Sequence, residues 1–196
     1  AVVSKNPGNA LKYMGFPVLR NKPVPIIAIP TNCSTGSEVT FNAVFTDKKN
    51  KKKLGINSKY NYPILSIYDP KLVGLANDKI IFYSSCASLM RALETYVSRD
   101  SNIITKFYSK KSFFLITENL KNALKQKRKE SYLNLQFGCL FSMLALSNAG
   151  GGAAGILTYM LSVKYNLPQA WTYAVVGIEF LKKNIKLGYT DYKNIA

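Results

Sequence analysis

The sequence predicts an α/β region followed by an all-helical region, with the change near residue 78. Before that point, short apolar runs alternate with Asn, Pro and Gly, a pattern typical of short strands separated by turns. After it, apolar residues recur at the spacing of one helix face. We therefore expect two domains, residues 1–78 and residues 79–196.

Three apolar runs in the first region are predicted to be strands. Residues 26–29 form a continuous apolar run, and residues 39–45 alternate in polarity. Residues 64–68 stop just before an Asp-Pro pair, where proline disfavours continuation of the element. The lysine-rich stretch 47–53 is predicted to be a hairpin or loop.

The second region is predicted to consist of five helices. The first follows Asn77-Asp78, whose side chains suit a helix N-terminus. Three consecutive glycines, 150–152, interrupt the pattern, and Pro168 interrupts it again. The glycine run lacks the strand and the Gly-Lys-Ser/Thr ending of a phosphate-binding loop, so a kink between helices is expected. The predicted helices run from about 78 to 97, 101–126, 132–146, 153–165 and 171–187.

Composition excludes several classes of protein. Hydrophobic residues make up 47% of the chain, enough for a packed core, and no apolar run approaches the roughly 20 residues of a membrane span. The chain has no histidine, which removes the usual general base and the commonest metal ligand. Cys33, Cys86 and Cys139 are far apart, so packed thiols in a reducing compartment, the cytoplasm or the mitochondrial matrix, are expected.

The chain is strongly basic, with a formal net charge of +17. Lysines cluster at 48–53, at 121–129 and at 182–186. Aromatics near them, such as Tyr60, Phe107 and Tyr132, could stack on exposed bases, and core packing or surface anchoring is the alternative. Only four of the basic residues are arginines, which favours non-specific attraction to a polyanion over sequence-specific contacts. RNA or an acidic protein surface is therefore an expected partner, and ordinary solvated lysines are the alternative.

One segment has a specific resemblance. Residues 30–40, PTNCSTGSEVT, closely resemble the P-T-T-x-G-T-G-S-E-V-T segment of the iron-containing (group III) alcohol dehydrogenases. Six shorter matches to that family follow the same order along most of the chain. They include Asn6-Pro7-Gly8, Asp69-Pro70, Ala92-Leu93-Glu94 and the segment 147–150, SNAG.

The resemblance implies a fold similar to dehydroquinate synthase and iron-containing alcohol dehydrogenase. In such a fold a Rossmann-like dinucleotide-binding domain is followed by an all-helical domain that supplies a metal, with the site between them. The family passes a hydride between an alcohol carbon and NAD(P), while the metal polarises the substrate oxygen. This chain resembles a shortened member.

The metal ligands of the family have no counterpart here. The Asp and His of its G-M-D-x-x-x-H helix fall on Ala87 and Arg91, and two further His positions fall on Gly155 and Gln169. A further His of the family, on the same helix as the position matched by Gly155, falls on Tyr159. Because methyl, guanidinium and amide groups do not form a divalent metal site, we expect neither iron nor zinc.

The nucleotide site is matched only in part. The family's glycine-rich turn would lie before residue 1, whereas the other wall is matched by Thr31, Thr35, Gly36, Ser37 and Lys53. We expect no resident cofactor, and weak NAD(P) binding if any is retained. A tight polar turn without a ligand is the structural alternative for these residues.

Two functions follow from these observations. The first is a non-catalytic structural subunit of a larger assembly, for instance a ribonucleoprotein such as a mitochondrial ribosome, or a partner that dimerises with an active paralogue. The second is residual NAD(P)-dependent alcohol dehydrogenase activity, completed by another chain or carried out without metal, with Tyr159 as the acid.

Overall fold

The computed structural model describes residues 1–16, 19–33, 35–47 and 49–195. It contains a small N-terminal α/β part and a larger helical part, which confirms the predicted fold class. The strands are β1 (Ile27–Ala28), β2 (Asn42–Asp47), β3 (Lys52–Asn57) and β4 (Leu65–Ser66). The helices are α1 (Pro70–Gly74), α2 (Asp78–Tyr96), α3 (Ile103–Gln126), α4 (Lys129–Ala149), α5 (Ala153–Lys164) and α6 (Gln169–Lys186).

The four strands form two small sheets. β1 pairs with β4 in parallel, and β2 pairs with β3 in an antiparallel hairpin in which Asn42 lies opposite Asn57. The prediction of a strand at residues 39–45 was wrong at its start, because Val39 ends a 3₁₀ turn over Ser37–Val39. The prediction of a hairpin or loop at 47–53 agrees with the hairpin between β2 and β3, although Asp47 ends β2 and Lys52 and Lys53 already belong to β3.

The five predicted helices are confirmed as α2 to α6, with ends that differ by a few residues. Asn77 caps α2 by accepting a hydrogen bond from the Lys79 amide at 2.8 Å, as its sequence position indicated. Asn102 caps α3 in a reciprocal capping box with Thr105. α4 is longer at both ends than predicted, and it ends at Gly150, whose φ of +64° suits glycine.

The main core lies between α1, α2, α3 and α4. Its fully buried side chains include Val73, Ile81, Ile116 and Leu135, together with Cys33 from the N-terminal part. α3 and α4 approach closely at Gly138, where a Cβ would lie 2.6 Å from Cγ1 of Ile116. No single described helix is long and apolar enough to cross a membrane, although α4 and α5 meet that criterion as a pair bent by 110°.

We predict that Gly138→Ala destabilises the protein relative to Gly155→Ala. Both substitutions add a methyl group and helix propensity, but a Cβ at Gly155 has no neighbour closer than 3.7 Å, whereas one at Gly138 overlaps Ile116. Overpacking of this kind costs about 1–3 kcal/mol. Urea unfolding measures the difference, and equal free energies of unfolding for the two variants would contradict the close approach of α3 to α4.

Candidate functional site

A cavity of about 1100 Å³ lies between the N-terminal strands and helices α2, α4, α5 and α6. It brings together residues that the sequence separates widely. Three of the residues predicted to contact a nucleotide line the cavity: Thr35, Ser37 and Lys53. Three of the positions matched to metal ligands of the resembled family also line it: Arg91, Gly155 and Gln169. Thr31, Gly36 and Ala87 are not among its lining residues. Glu94, Tyr159 and Tyr173 complete the wall formed by the helices.

The loop over residues 35–40 forms one wall because of Gly36. Its φ is +74°, and a Cβ there would lie 2.5 Å from Cβ of Met143 and 2.7 Å from the Cys139 carbonyl oxygen. Only glycine therefore lets this turn rest directly on α4. Ser34, within the same motif, lies outside the described residues.

Arg91 lies on α2 and is 6% exposed. Its Cζ is 5.3 Å from the centroid of the Tyr173 ring, a distance suited to a cation–π contact. Nη1 donates to the Thr35 carbonyl oxygen at 3.5 Å, a long hydrogen bond. The guanidinium therefore lies at the cavity, against one aromatic ring, with most of its five N–H groups unused by the hydrogen bonds described.

Glu94, one turn further along α2, links three helices. Its Oε1 accepts a hydrogen bond from the Ala154 amide at 2.9 Å, and its Oε2 accepts one from the Tyr173 hydroxyl. α5 has no side-chain cap of its own, so this carboxylate satisfies its N-terminus. A Cβ at Gly152 would lie 2.6 Å from Oε1, which explains a glycine there. These contacts give Glu94 a structural role at the junction of α2, α5 and α6.

Lys53 of β3 lies beside Tyr159 of α5 at the same cavity. Lys53 Nζ is 5.4 Å from the centroid of the Tyr159 ring, and partial burial lowers the pKa of this lysine. β3 and α5 thus place a second cation and a phenol at the same cavity.

Two of the three cysteines match the expectation of packed thiols, and Cys86 is half-buried. Cys33 and Cys139 are buried, and burial raises the pKa of Cys139 to about 12. The pKa of Cys33 and that of Cys86 are raised by the same cause. Thiols that resist ionisation are poor nucleophiles and poor metal ligands at neutral pH.

The donor set at the cavity does not fit the metal of the family. In the described parts of the chain, no three Cys, Asp or Glu side chains converge on a point. Glu94 is the one carboxylate near Arg91 in sequence, and both of its oxygens already accept hydrogen bonds. Ala87 is a buried methyl on α2, and Gly155 has no side chain.

Sequence reasoning missed Tyr173, which holds both Arg91 and Glu94. A signal was present, because Tyr173 follows Gln169 by four residues and therefore lies on the same face of α6. Burial raises the pKa of Tyr173, so its hydroxyl stays protonated and donates to Glu94.

The lysine clusters are largely exposed. Lys49, Lys51 and Lys52 are open to solvent, as are the lysines of 121–129 and 182–186, whereas Lys48 lies outside the described residues. Lys127 pairs with Asp78, and Lys182 pairs with Glu179. Tyr132 is 3% exposed, which agrees with the core-packing alternative and leaves no ring face for a base. Phe107 is 60% exposed.

Two family models match the chain. One, described as iron-containing alcohol dehydrogenase, matches residues 1–70, and another, described as the Fe-containing alcohol dehydrogenase family, C-terminal, matches residues 81–196. Among solved structures, that of a 1,3-propanediol oxidoreductase superposes with a TM-score of 0.90 at 27% identity. The match covers 99% of this chain and 51% of that protein.

Similar proteins of known activity include the 1,3-propanediol dehydrogenase of Citrobacter freundii, 29% identical over 199 residues, covering 100% of this chain and 51% of that enzyme. The 4-hydroxybutyrate dehydrogenase of Clostridium kluyveri is 32% identical over 155 residues, covering 78% of this chain and 41% of that enzyme. The chain thus spans about half the length of the relatives it matches.

We predict that Glu38→Gln stabilises the protein near neutral pH and has less effect near pH 4. Burial raises the pKa of Glu38, so at neutral pH the folded state must hold an unfavourable carboxylate. Below the unfolded pKa, about 4.3, both states are protonated and this cost vanishes. Because Glu38 accepts from the Tyr68 hydroxyl at 3.0 Å, the amide oxygen of Gln preserves that contact.

Urea midpoints of wild type and variant, measured from pH 4 to pH 7, test this expectation. Glu118→Gln removes the same charge from an exposed position on α3 and is the control. A difference between wild type and Glu38→Gln that stays constant with pH would contradict the burial of the Glu38 carboxylate.

Proposed function

The chain belongs to the iron-containing alcohol dehydrogenase family, and from that premise we propose that it is a non-catalytic member acting as a subunit of a larger assembly. The observation that carries this proposal is the buried guanidinium of Arg91. It lies at the cavity, at a position that the motif order matches to a metal ligand of the family.

An arginine at this position does more than remove a metal ligand, because its positive charge also repels a metal ion. A divalent ion about 5 Å from a guanidinium would be repelled by roughly 7 kcal/mol at an effective dielectric constant of about 20. Arginine does not deprotonate in proteins, so this repulsion persists at every accessible pH. The cavity therefore opposes a metal in addition to lacking donors for one.

Two surface features support a role in an assembly. The small parallel sheet exposes a set of large apolar side chains, which monomeric proteins usually cover. The exposed lysines add a positive surface that attracts acidic protein or RNA. The apolar set consists of Ile27, Ile29, Ile64, Leu65 and Ile67.

We predict that the wild-type chain binds no stoichiometric Zn²⁺ or Fe²⁺ at its cavity and that four substitutions create a site. The rebuilt variant carries Ala87→Asp, Arg91→His, Gly155→His and Gln169→His. Because it supplies one carboxylate and three imidazoles, it should bind about one equivalent of Zn²⁺ with a micromolar or lower dissociation constant. Isothermal titration calorimetry measures the dissociation constant, and metal analysis after dialysis measures the stoichiometry.

A matched control carries Ala87→Asn, Arg91→Gln and Gly155→Gln, which provide similar volume without strong donors. Stoichiometric metal in the wild-type cavity would overturn the proposal. Failure of a folded rebuilt variant to gain metal would show that these four positions do not account for its absence.

The pair formed by Lys53 and Tyr159 favours a second candidate function, a metal-free oxidoreductase. In such a reaction NADH would transfer a hydride to a carbonyl carbon, and the Tyr159 hydroxyl would give its proton to the carbonyl oxygen. Thr35, Ser37 and Lys53 line the same cavity, as residues of a nucleotide wall would. The nearness of the lysine to the phenol supports this alternative.

If the chain is non-catalytic, it should not oxidise millimolar NADH in the presence of short aldehydes in a way that depends on Tyr159. The measurement is the loss of NADH absorbance with wild type and with Tyr159→Phe, accompanied by a fluorescence titration of NADH. Saturable NADH binding together with a rate that falls at least tenfold in Tyr159→Phe would favour the oxidoreductase instead.

A further inference from the structure

The charge of Arg91 has no counter-ion among residues 1–16, 19–33, 35–47 and 49–195. The ion pairs in these ranges join Lys106 to Asp191, Lys127 to Asp78 and Lys182 to Glu179, and no described carboxylate oxygen lies within 4 Å of the guanidinium. A buried cation without a partner is costly, so such groups normally bind an anion. The guanidinium also lies at a cavity that a ligand can occupy.

The nearby carboxylates do not neutralise this charge by direct contact. Glu94 accepts from Ala154 and Tyr173, and these contacts hold it at the N-terminus of α5. Glu38 accepts from Tyr68, and burial raises the pKa of its carboxyl. Lys53, which lies over the Tyr159 ring, adds a second cation to the lining of the cavity. The cavity therefore has two cationic groups available to a negatively charged ligand.

The remaining walls suit a short hydrocarbon chain. Met143 and Leu146 of α4 and Ile156 of α5 line the cavity beside Arg91. A Cβ added at Gly155 would lie 3.7 Å from a ring carbon and 3.8 Å from the hydroxyl oxygen of Tyr173. Because glycine has no side chain, nothing from this position covers Tyr173. Apolar walls with one anchoring charge are typical of a site that binds and orients a small molecule.

We propose that this cavity binds a small aliphatic carboxylate whose oxygens pair with the guanidinium of Arg91. The N–H groups of arginine lie in one plane as a rigid fork that matches a carboxylate, and the Tyr173 ring supports the cation. This assignment concerns binding alone and stands whether or not the chain catalyses a reaction.

The test compares butyrate with butyramide, which has the same shape and no charge. Calorimetric titration of the chain, without metal or nucleotide, should give saturable binding of butyrate and at least tenfold weaker binding of butyramide. Arg91→Gln should weaken butyrate at least tenfold, since a hydrogen-bonded charge contributes about that much. Arg99→Gln is the matched control, because it removes the same charge from an exposed position outside the cavity lining.

Several outcomes would overturn the assignment. They are no saturable binding of butyrate at tens of millimolar, equal binding of butyramide, or equal loss in Arg91→Gln and Arg99→Gln. Inorganic phosphate that competes with butyrate at equal concentration and ionic strength would show a general oxyanion site and reject the carboxylate. Because no metal or cofactor is added, these outcomes are independent of the metal-binding result.

A second measurement avoids the risk that Arg91→Gln fails to fold. Crystals of the wild-type chain soaked in 4-bromobutyrate should show an anomalous bromine peak inside the cavity and carboxylate density at Arg91. A bromine peak elsewhere, or an empty cavity at a concentration that saturates the solution titration, would refute the proposed position.

Discussion

The hydrogen bonds of Glu94 are the interaction on which the rest of the site depends. A single carboxylate on α2 holds the N-terminus of α5 through Ala154 and a side chain of α6 through Tyr173. Both partners are donors, and the carboxylate at the helix N-terminus is further favoured by the helix dipole. Without this link, the three helices would lack a fixed polar contact at the edge of the cavity, and the ring under Arg91 would lose its position.

The same link explains how the Arg91 guanidinium is accommodated at the cavity. Arg91 is one turn before Glu94 on α2, and Tyr173 contacts both side chains. The face of α2 at the cavity therefore carries a permanent positive charge, which is part of the Arg91 side chain.

The sequence predicted the elements of this structure better than their ends. Helices α2 and α3 could be predicted because asparagine caps precede clear periodic patterns. Residues 39–45 were harder, since the alternating pattern continues through Val39 although Gly36 forces a 3₁₀ turn there. Tyr132 is a second example, because a tyrosine next to lysines in the sequence can be a surface residue or a core residue. Its packing against Gly74 shows that it belongs to the core.

The contents of the site were predictable in identity but not in arrangement. The family motifs indicated Arg91, Gly155 and Gln169 as altered positions, and these residues do line one cavity. Which groups Arg91 contacts depends on the crossing of α2 with α6, and local sequence does not encode such a long-range contact. Tyr173 was therefore missed, although it determines the environment of the charge. Arg91 is held against the Tyr173 ring, and no described carboxylate oxygen lies within 4 Å of its guanidinium, so the proposed binding of an anion rests on this one long-range contact between α2 and α6.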